Sequence, residues 1–326
     1  MQRSMNRRRF LEASSLLAIA PYVGSAFGQA VPRAPFDANA TAEEVTAGLD
    51  LSGKTIVISG CNSGIGYETM RVLALRGAHV IGTARSIEKG RDACSSIEGQ
   101  ATPVVLELTD FASVVAAAEQ IKQMGMPIDA LINNAGVLYT DLQQVRGLEA
   151  QFVVNHLGHF VFTNHLLEAI TAAEQGRVVV VGSMAHRQVP DGGIQFDDLS
   201  GESWGGGYYG HSKLANGLFA LELSRRLAST AATANSLHPG VVSTNIFRNM
   251  NFGGGGGGGG GGGFTMESPE MGAANSCYVA TYPALAGVTG QYFVDFNAAE
   301  QSAYQTDTAM AARLWDVSEE LTRDYL

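Results

Sequence analysis

The chain has 326 residues, 45% of them hydrophobic and 16% charged, which supplies a sizeable core and excludes a disordered or solvating protein. Its 21 basic and 31 acidic residues give a net charge of −10, so the basic footprint of a nucleic-acid binder is missing. No apolar run reaches the roughly 18 residues of a clear membrane span, and the three scattered cysteines, Cys61, Cys94 and Cys277, make neither a disulfide framework nor a zinc site.

Residues 1–30 read as an export signal. Arg7, Arg8 and Arg9 precede a mildly apolar stretch from Ala13 to Val23, and Gly28 and Ala30 stand at positions −3 and −1 of a small-residue cleavage site. The core Arg7-Arg8-Arg9-Phe10-Leu11 resembles a twin-arginine signal, with Asn6 and Glu12 where Ser or Thr and Lys are commoner. That resemblance implies a partner, the twin-arginine export machinery, and a bacterial periplasmic destination reached after folding. Removing residues 1–30 takes away four arginines and one glutamate, leaving 17 basic and 30 acidic residues. Residues 31–50, with Pro32 and Pro35, read as a linker or an N-terminal arm.

From Lys54 onward short apolar runs alternate with stretches of helical period. The runs are Thr55–Ser59, His79–Thr83, Val104–Leu108, Ala130–Asn133, Val178–Gly182, Ala234–Leu237 and Gln291–Val294. The helical stretches include Ile65–Arg76, Phe111–Met124 and Glu149–Glu174. The expected fold is α/β: one doubly wound Rossmann domain over residues 51–326, with a parallel sheet of about seven strands. Eleven consecutive glycines, Gly253–Gly263, suit neither helix nor strand and read as a flexible insertion.

The first expected strand runs into Gly60-Cys61-Asn62-Ser63-Gly64-Ile65-Gly66, and a helix follows. A glycine turn there lets backbone N–H groups and a helix N-terminus approach a pyrophosphate. The second strand leads into Arg85, where an NAD site usually offers a carboxylate to the ribose hydroxyls. A guanidinium forks onto phosphate oxygens, which favours the 2′-phosphate of NADP(H). Tyr209 and Lys213 are four apart and share one helical face. With four lysines and ten tyrosines in the chain, about 0.12 such pairs arise by chance, so the pair is suggestive by itself. A nearby ammonium stabilises phenolate and fits Tyr209 for proton exchange with a substrate oxygen.

Together these residues resemble the short-chain dehydrogenase/reductase family over roughly residues 52–322. Further motifs agree: Asn133-Asn134-Ala135-Gly136, Asn155 in Val-Asn-His-Leu-Gly-His-Phe, Ser183 in Val-Gly-Ser-Met-Ala-His, and His238-Pro239-Gly240-Val241-Val242-Ser243-Thr244. Asn155-His156-Leu157-Gly158-His159-Phe160 and Phe196-Asp197-Asp198-Leu199 look like the retinol-dehydrogenase-like and WW-domain-oxidoreductase-like branch. The resemblance implies a catalytic set of Asn155, Ser183, Tyr209 and Lys213. Ser183 would hold the substrate oxygen and Asn155 would order a relay water. Asn134, Ala135 and Gly136 would border the cofactor, and Pro239, Gly240, Val242 and Thr244 would contact its nicotinamide end. Glu107 and Leu108 stand where the family places Asp-Leu or Asp-Val beside the adenine, and Cys61 replaces a common alanine.

The expected activity is NADP(H)-dependent interconversion of an alcohol and an aldehyde or ketone. The rivals are a non-catalytic NADP(H)-binding sensor or scaffold, and an epimerase or dehydratase on the same framework. Homo-oligomerisation is common in the family and no sequence feature decides it. His156 and His159 stand three apart without a supporting carboxylate or cysteine, so no metal site is expected.

Overall fold

The computed structural model describes residues 31–244, 246 and 266–326. The expected signal at 1–30 and the glycine run at 253–263 lie outside the described residues. Eight strands form the main sheet: β1 (Thr55–Ser59), β2 (His79–Ala84), β3 (Gln100–Val105), β4 (Ala130–Asn133), β7 (Arg177–Val181), β8 (Thr233–Leu237), β9 (Tyr292–Val294) and β10 (Asn297–Ala298). Their order across the sheet is β3-β2-β1-β4-β7-β8-β9-β10, parallel throughout except for the last pair. Strands β5 (Gln144–Val145) and β6 (Leu148–Glu149) make a separate small hairpin. The expected doubly wound sheet is present, with a short antiparallel edge strand that periodicity cannot register in two residues.

Every residue of β1, β4, β7 and β8 is buried, as both faces of a parallel sheet are covered by helices. Side chains alternate between the faces. Val57, Leu131, Val178 and Val180 join one core with helices α4 (Phe111–Gln123), α5 (Gly158–Thr171), α6 (Tyr208–Arg226) and α8 (Thr308–Thr322). Ile56, Ile58, Ile132 and Val179 join the other with α2 (Gly64–Leu75) and α7 (Pro269–Thr281).

Two elements differ from the sequence reading by more than one residue at an end. The third strand is Gln100–Val105, ahead of the expected Val104–Leu108. It is the sheet's half-exposed edge, so it carries polar Gln100 and Thr102, and it tolerates Pro103, which has no N–H to donate. The apolar Leu106 and Leu108 are buried just after it, and their density drew the expected strand too far along. The expected helix Glu149–Glu174 is also broken. Glu149 ends β6, a π-helical turn covers Phe152–Leu157, and α5 begins only at Gly158. A Cβ on Gly158 would lie 2.7 Å from the Leu108 carbonyl oxygen, so this glycine lets α5 approach the β3 exit.

Residues 31–50 lie against the domain. Thr41 and Glu44 form a capping box on the one-turn helix α1 (Ala42–Val45), whose Ala42 and Val45 are buried. Phe36 packs edge-on to Tyr278, Tyr282 and Phe296, with ring centres 5.5–5.9 Å apart. Ala34 N–H donates to the Asn297 side chain at 3.1 Å, and the Arg76 guanidinium donates to the Glu43 carbonyl at 2.8 Å.

The chain runs β1, β2, β3 in one direction from the sheet's middle, then returns to place β4 on the other side of β1. That reversal opens a crevice at the carboxyl ends of β1 and β4, the position where ligands bind in open α/β sheets.

Candidate active site

The glycine turn after β1 is fixed by close approach. Gly60 has φ +75°, and the N–H groups of Gly60 and Cys61 both donate to the Thr83 carbonyl, at 3.0 and 2.9 Å. Gly64 has φ +57° at the start of α2. A Cβ on Gly66 would collide with the Gly60 carbonyl oxygen and the Asn134 side-chain amide, so only glycine lets α2 sit this close to the turn. Ser63 precedes α2 and makes no side-chain cap, which leaves the first helical N–H groups facing the crevice without one.

A cavity of about 220 Å³ occupies the crevice. Gly60, Asn62, Ser63, Ile65 and Gly66 form its floor, with Asn134, Ala135 and Gly136 beside them. Glu107 and Leu108 line the far wall, and Arg85 lines the cavity as an exposed residue. Glu107 Oε1 accepts from the N–H and hydroxyl of Thr109, at 3.1 and 2.8 Å, so its carboxylate is turned onto its own loop. Gly64 is not itself a lining residue; its place is against Thr244, which is one. The glycine cradle, the uncapped helix start and the long crevice fit a dinucleotide's pyrophosphate.

Pro239, Gly240 and Val242 do not line this cavity. Gly240 has φ +93° and faces the Glu267 carboxylate, while Val242 is buried and bridges Glu267. Among the described residues they hold the segment that carries Thr244. Sequence reasoning missed Thr83, Ala84, Leu106, Thr109, Val137, Tyr139, Val154 and Ile246, which also line the cavity. Thr83 and Ala84 end β2, so their position was inferable from the strand; the others carry no local signal.

Beneath the cavity lies a buried network. Ser59 Oγ accepts from the N–H groups of Asn134 and Ala135, each at 2.9 Å, and lies 2.8 Å from His159 Nε2. His159 Nδ1 lies 3.0 Å from the Asn155 carbonyl, which can only accept. Nδ1 therefore carries the ring proton, and Ser59 donates its own proton to Nε2. Burial holds His159 down at about 4, in keeping with a neutral ring. The Asn134 side-chain amide closes the group by donating to the Ser59 carbonyl at 2.9 Å.

The network continues into the four expected catalytic residues. Asn155 sits in the π-helical turn and is fully buried. Its Oδ1 accepts from Val137 N–H at 2.8 Å and its Nδ2 donates to the Val137 carbonyl at 3.0 Å. Nδ2 also donates to Ser212 Oγ at 2.9 Å, and Ser212 donates to the Tyr209 carbonyl at 2.9 Å. Tyr209 and Lys213 are one turn apart on α6, with Lys213 Nζ 5.5 Å from the tyrosine ring centre. Ser183 stands at the exit of β7, where its Oγ caps the following short turn by accepting from Ala185 N–H at 3.2 Å. Lys213 Nζ donates to the Val181 carbonyl at 2.8 Å. A Cβ on cavity-lining Gly136 would lie 3.2 Å from Asn155 Oδ1 and 3.8 Å from Lys213 Nζ, which joins this cluster to the cavity.

Burial acts on the pair in opposite directions. It pushes the Tyr209 phenol up to about 12, against the nearby Ser183 side chain that pulls it down, and pulls the Lys213 ammonium down to about 7. Both shifts favour the neutral forms of this pair. Among the described residues no cluster of His, Cys, Asp and Glu could hold a metal ion; His156 Nε2 lies 2.8 Å from Ser318 Oγ instead.

Residues 54–252 match the family model for short chain dehydrogenases. The chain belongs to the short chain dehydrogenase family. It is 38% identical over 281 residues to human retinol dehydrogenase 11, covering 84% of this chain and 87% of that protein. It is 37% identical over 313 residues to the chicken WW domain-containing oxidoreductase, covering 90% of this chain and 74% of that protein. A crystal structure of a protein from Mycobacterium paratuberculosis shares 33% identity and a TM-score of 0.68, covering 86% of this chain and 97% of that one. The chain is thus a member of an oxidoreductase family with a Rossmann-like nucleotide-binding fold, and its family binds a nicotinamide cofactor.

Ser59→Ala should lower stability by about 2–3 kcal/mol, because two half-buried N–H groups and the buried His159 Nε2 lose their partner together. Urea denaturation reads this directly; a change under about 0.5 kcal/mol, the size of an ordinary surface substitution, would mean that the network is not formed in solution.

Proposed function

We propose that this protein interconverts an alcohol and an aldehyde or ketone with NADP(H), using Tyr209 as general acid/base. The observation that carries this reading is the placement of Tyr209 and Lys213 one helical turn apart, with Lys213 Nζ 5.5 Å from the tyrosine ring centre and next to Asn155 at the cavity-lining Gly136. The nicotinamide supplies or accepts the hydride when bound. The residues of this chain handle the oxygen and its proton. Ser183 Oγ holds the substrate oxygen beside the phenol. In the reducing direction Tyr209 gives its proton to that oxygen as the alkoxide forms; in the oxidising direction the phenolate takes the hydroxyl proton. Lys213, once charged, stabilises the phenolate and lowers a phenol that burial alone leaves at about 12. Asn155, clamped by Val137 and Ser212, would order a relay water.

The preference for NADP(H) rests on Arg85, an exposed guanidinium that lines the cavity where no carboxylate follows β2 in the sequence. The periplasmic location rests on residues 1–30, whose paired arginines, apolar stretch and small-residue cleavage site occur in order. The twin-arginine machinery carries folded proteins, so the cofactor would be loaded in the cytoplasm and retained through export.

Tyr209→Phe should lower turnover by about a thousandfold while the cofactor dissociation constant stays within about threefold. Turnover within about tenfold of wild type would remove Tyr209 from the mechanism. Arg85→Ala should weaken NADP(H) by about tenfold or more and leave NAD(H) unchanged, since one charge-assisted contact to phosphate is lost; an equal loss for both cofactors would refute the 2′-phosphate assignment. Protein expressed with residues 1–30 and released by osmotic shock should carry stoichiometric NADP(H) on denaturation and mass spectrometry. Its absence from that fraction would end the export reading, and an empty protein there would end the retained-cofactor reading.

A further inference from the structure

The turn after β7 carries a buried histidine that the proposed chemistry leaves unused. His186 is 1% exposed and lies in the 3-10 turn Met184–Arg187, three residues after Ser183. Its Nδ1 lies 2.7 Å from the Ser183 carbonyl oxygen, which can only accept. Nδ1 therefore carries the ring proton and donates it. The backbone N–H of His186 donates to the same carbonyl at 3.2 Å. Nε2 is left bare, buried and without a partner among the described residues. Burial holds the ring below its ordinary value, in keeping with a neutral form. Ser183 is thus gripped at both of its oxygens. Its carbonyl takes two donors from His186, while its Oγ accepts from Ala185 N–H and keeps its own proton free to donate.

Two packed surfaces hold the turn. Tyr292 of β9, 2% exposed, meets the His186 ring edge-on with ring centres 5.1 Å apart. The same tyrosine reaches the residue before Ser183, since a Cβ on Gly182 would lie 3.6 Å from Tyr292 Cε2. The turn also meets the tyrosine helix. Gly210 follows Tyr209 on α6, and a Cβ on it would lie 2.7 Å from the Ala185 carbonyl oxygen and collide with that of Gln188. The backbone of Ser183 is therefore held relative to that of Tyr209 through this turn.

We propose that His186 is a positioning residue for Ser183: by fixing the Ser183 carbonyl, it sets the direction in which the Ser183 hydroxyl meets the substrate oxygen. This role rests on the substrate-holding role of Ser183 proposed above. His186 does not line the cavity, so it acts through Ser183 and not on the substrate. Two substitutions separate the hydrogen bond from the bulk of the ring. His186→Asn puts an amide N–H close to where Nδ1 stands. His186→Gln fills more of the space but carries its N–H out to where Nε2 stands.

The test uses the full chain with NADPH and the fastest of three probes: octanal, benzaldehyde and acetophenone. His186→Gln should lower kcat by about tenfold, the worth of one neutral hydrogen bond, with KM and the cofactor dissociation constant within about threefold. His186→Asn should keep kcat within about threefold of wild type. Ser183→Ala should lower kcat by about a hundredfold, and adding His186→Gln to it should cost less than about twofold more, because the group it positions is gone. Nitrogen NMR of the NADPH-bound protein, assigned by the signal lost in His186→Asn, should show the ring proton on Nδ1. A proton on Nε2, a tenfold loss that persists in the Ser183→Ala background, or His186→Gln more active than His186→Asn would overturn the proposal. A Ser183→Ala protein as active as wild type would instead sink the substrate-holding role of Ser183, and the positioning role with it, even where the NMR shows the expected ring proton.

Discussion

One oxygen atom, Ser59 Oγ, holds the site's frame. A hydroxyl has one proton to give and two lone pairs, and here all three are used: by His159 Nε2 and by the N–H groups of Asn134 and Ala135. These groups belong to the end of β1, the exit of β4 and the start of α5, three segments that must meet for the crevice to exist. From His159 the hydrogen bonds run through Asn155 and Ser212 to the backbone of Tyr209. The floor of the cavity and the tyrosine helix are thus joined by a continuous buried polar chain. Such a chain is stabilising only when each member is satisfied, which makes it intolerant of any single deletion.

The second constraint is closeness. Gly66 lets α2 touch the turn after β1, Gly136 lets the β4 exit pass Asn155 and Lys213, and Gly158 lets α5 meet the Leu108 carbonyl. Each glycine stands where two backbones or a backbone and a functional side chain cross. The same compactness buries Lys213 and shifts Tyr209 and Lys213 in opposite directions. Without a charge brought in beside them, burial keeps both groups neutral.

The far end of the sheet shows a different use of packing. Val31, Ala34 and Phe36 lie against the core formed by α7 and the β9–β10 edge. The arm covers aromatic surface on Tyr278, Tyr282 and Phe296 at the sheet's antiparallel end.

The sequence alone determined the sheet's class, because strands buried on both faces must be short apolar runs and the intervening helices must carry a 3.6-residue period. It also determined the glycine turn and the Tyr209–Lys213 pair, since their spacing is a property of one turn or one helical face. Where neighbours decided the outcome, the sequence misled or was silent. The half-exposed edge made β3 polar, and the two-residue strand β10 and the π-helical turn at Asn155 left no period to read. The Ser59–His159 and Asn155–Ser212 hydrogen bonds join residues 100 and 57 positions apart. No local pattern encodes such pairs; they exist because strand order and helix packing bring the carboxyl ends of β1 and β4 to one place, a property of the tertiary structure.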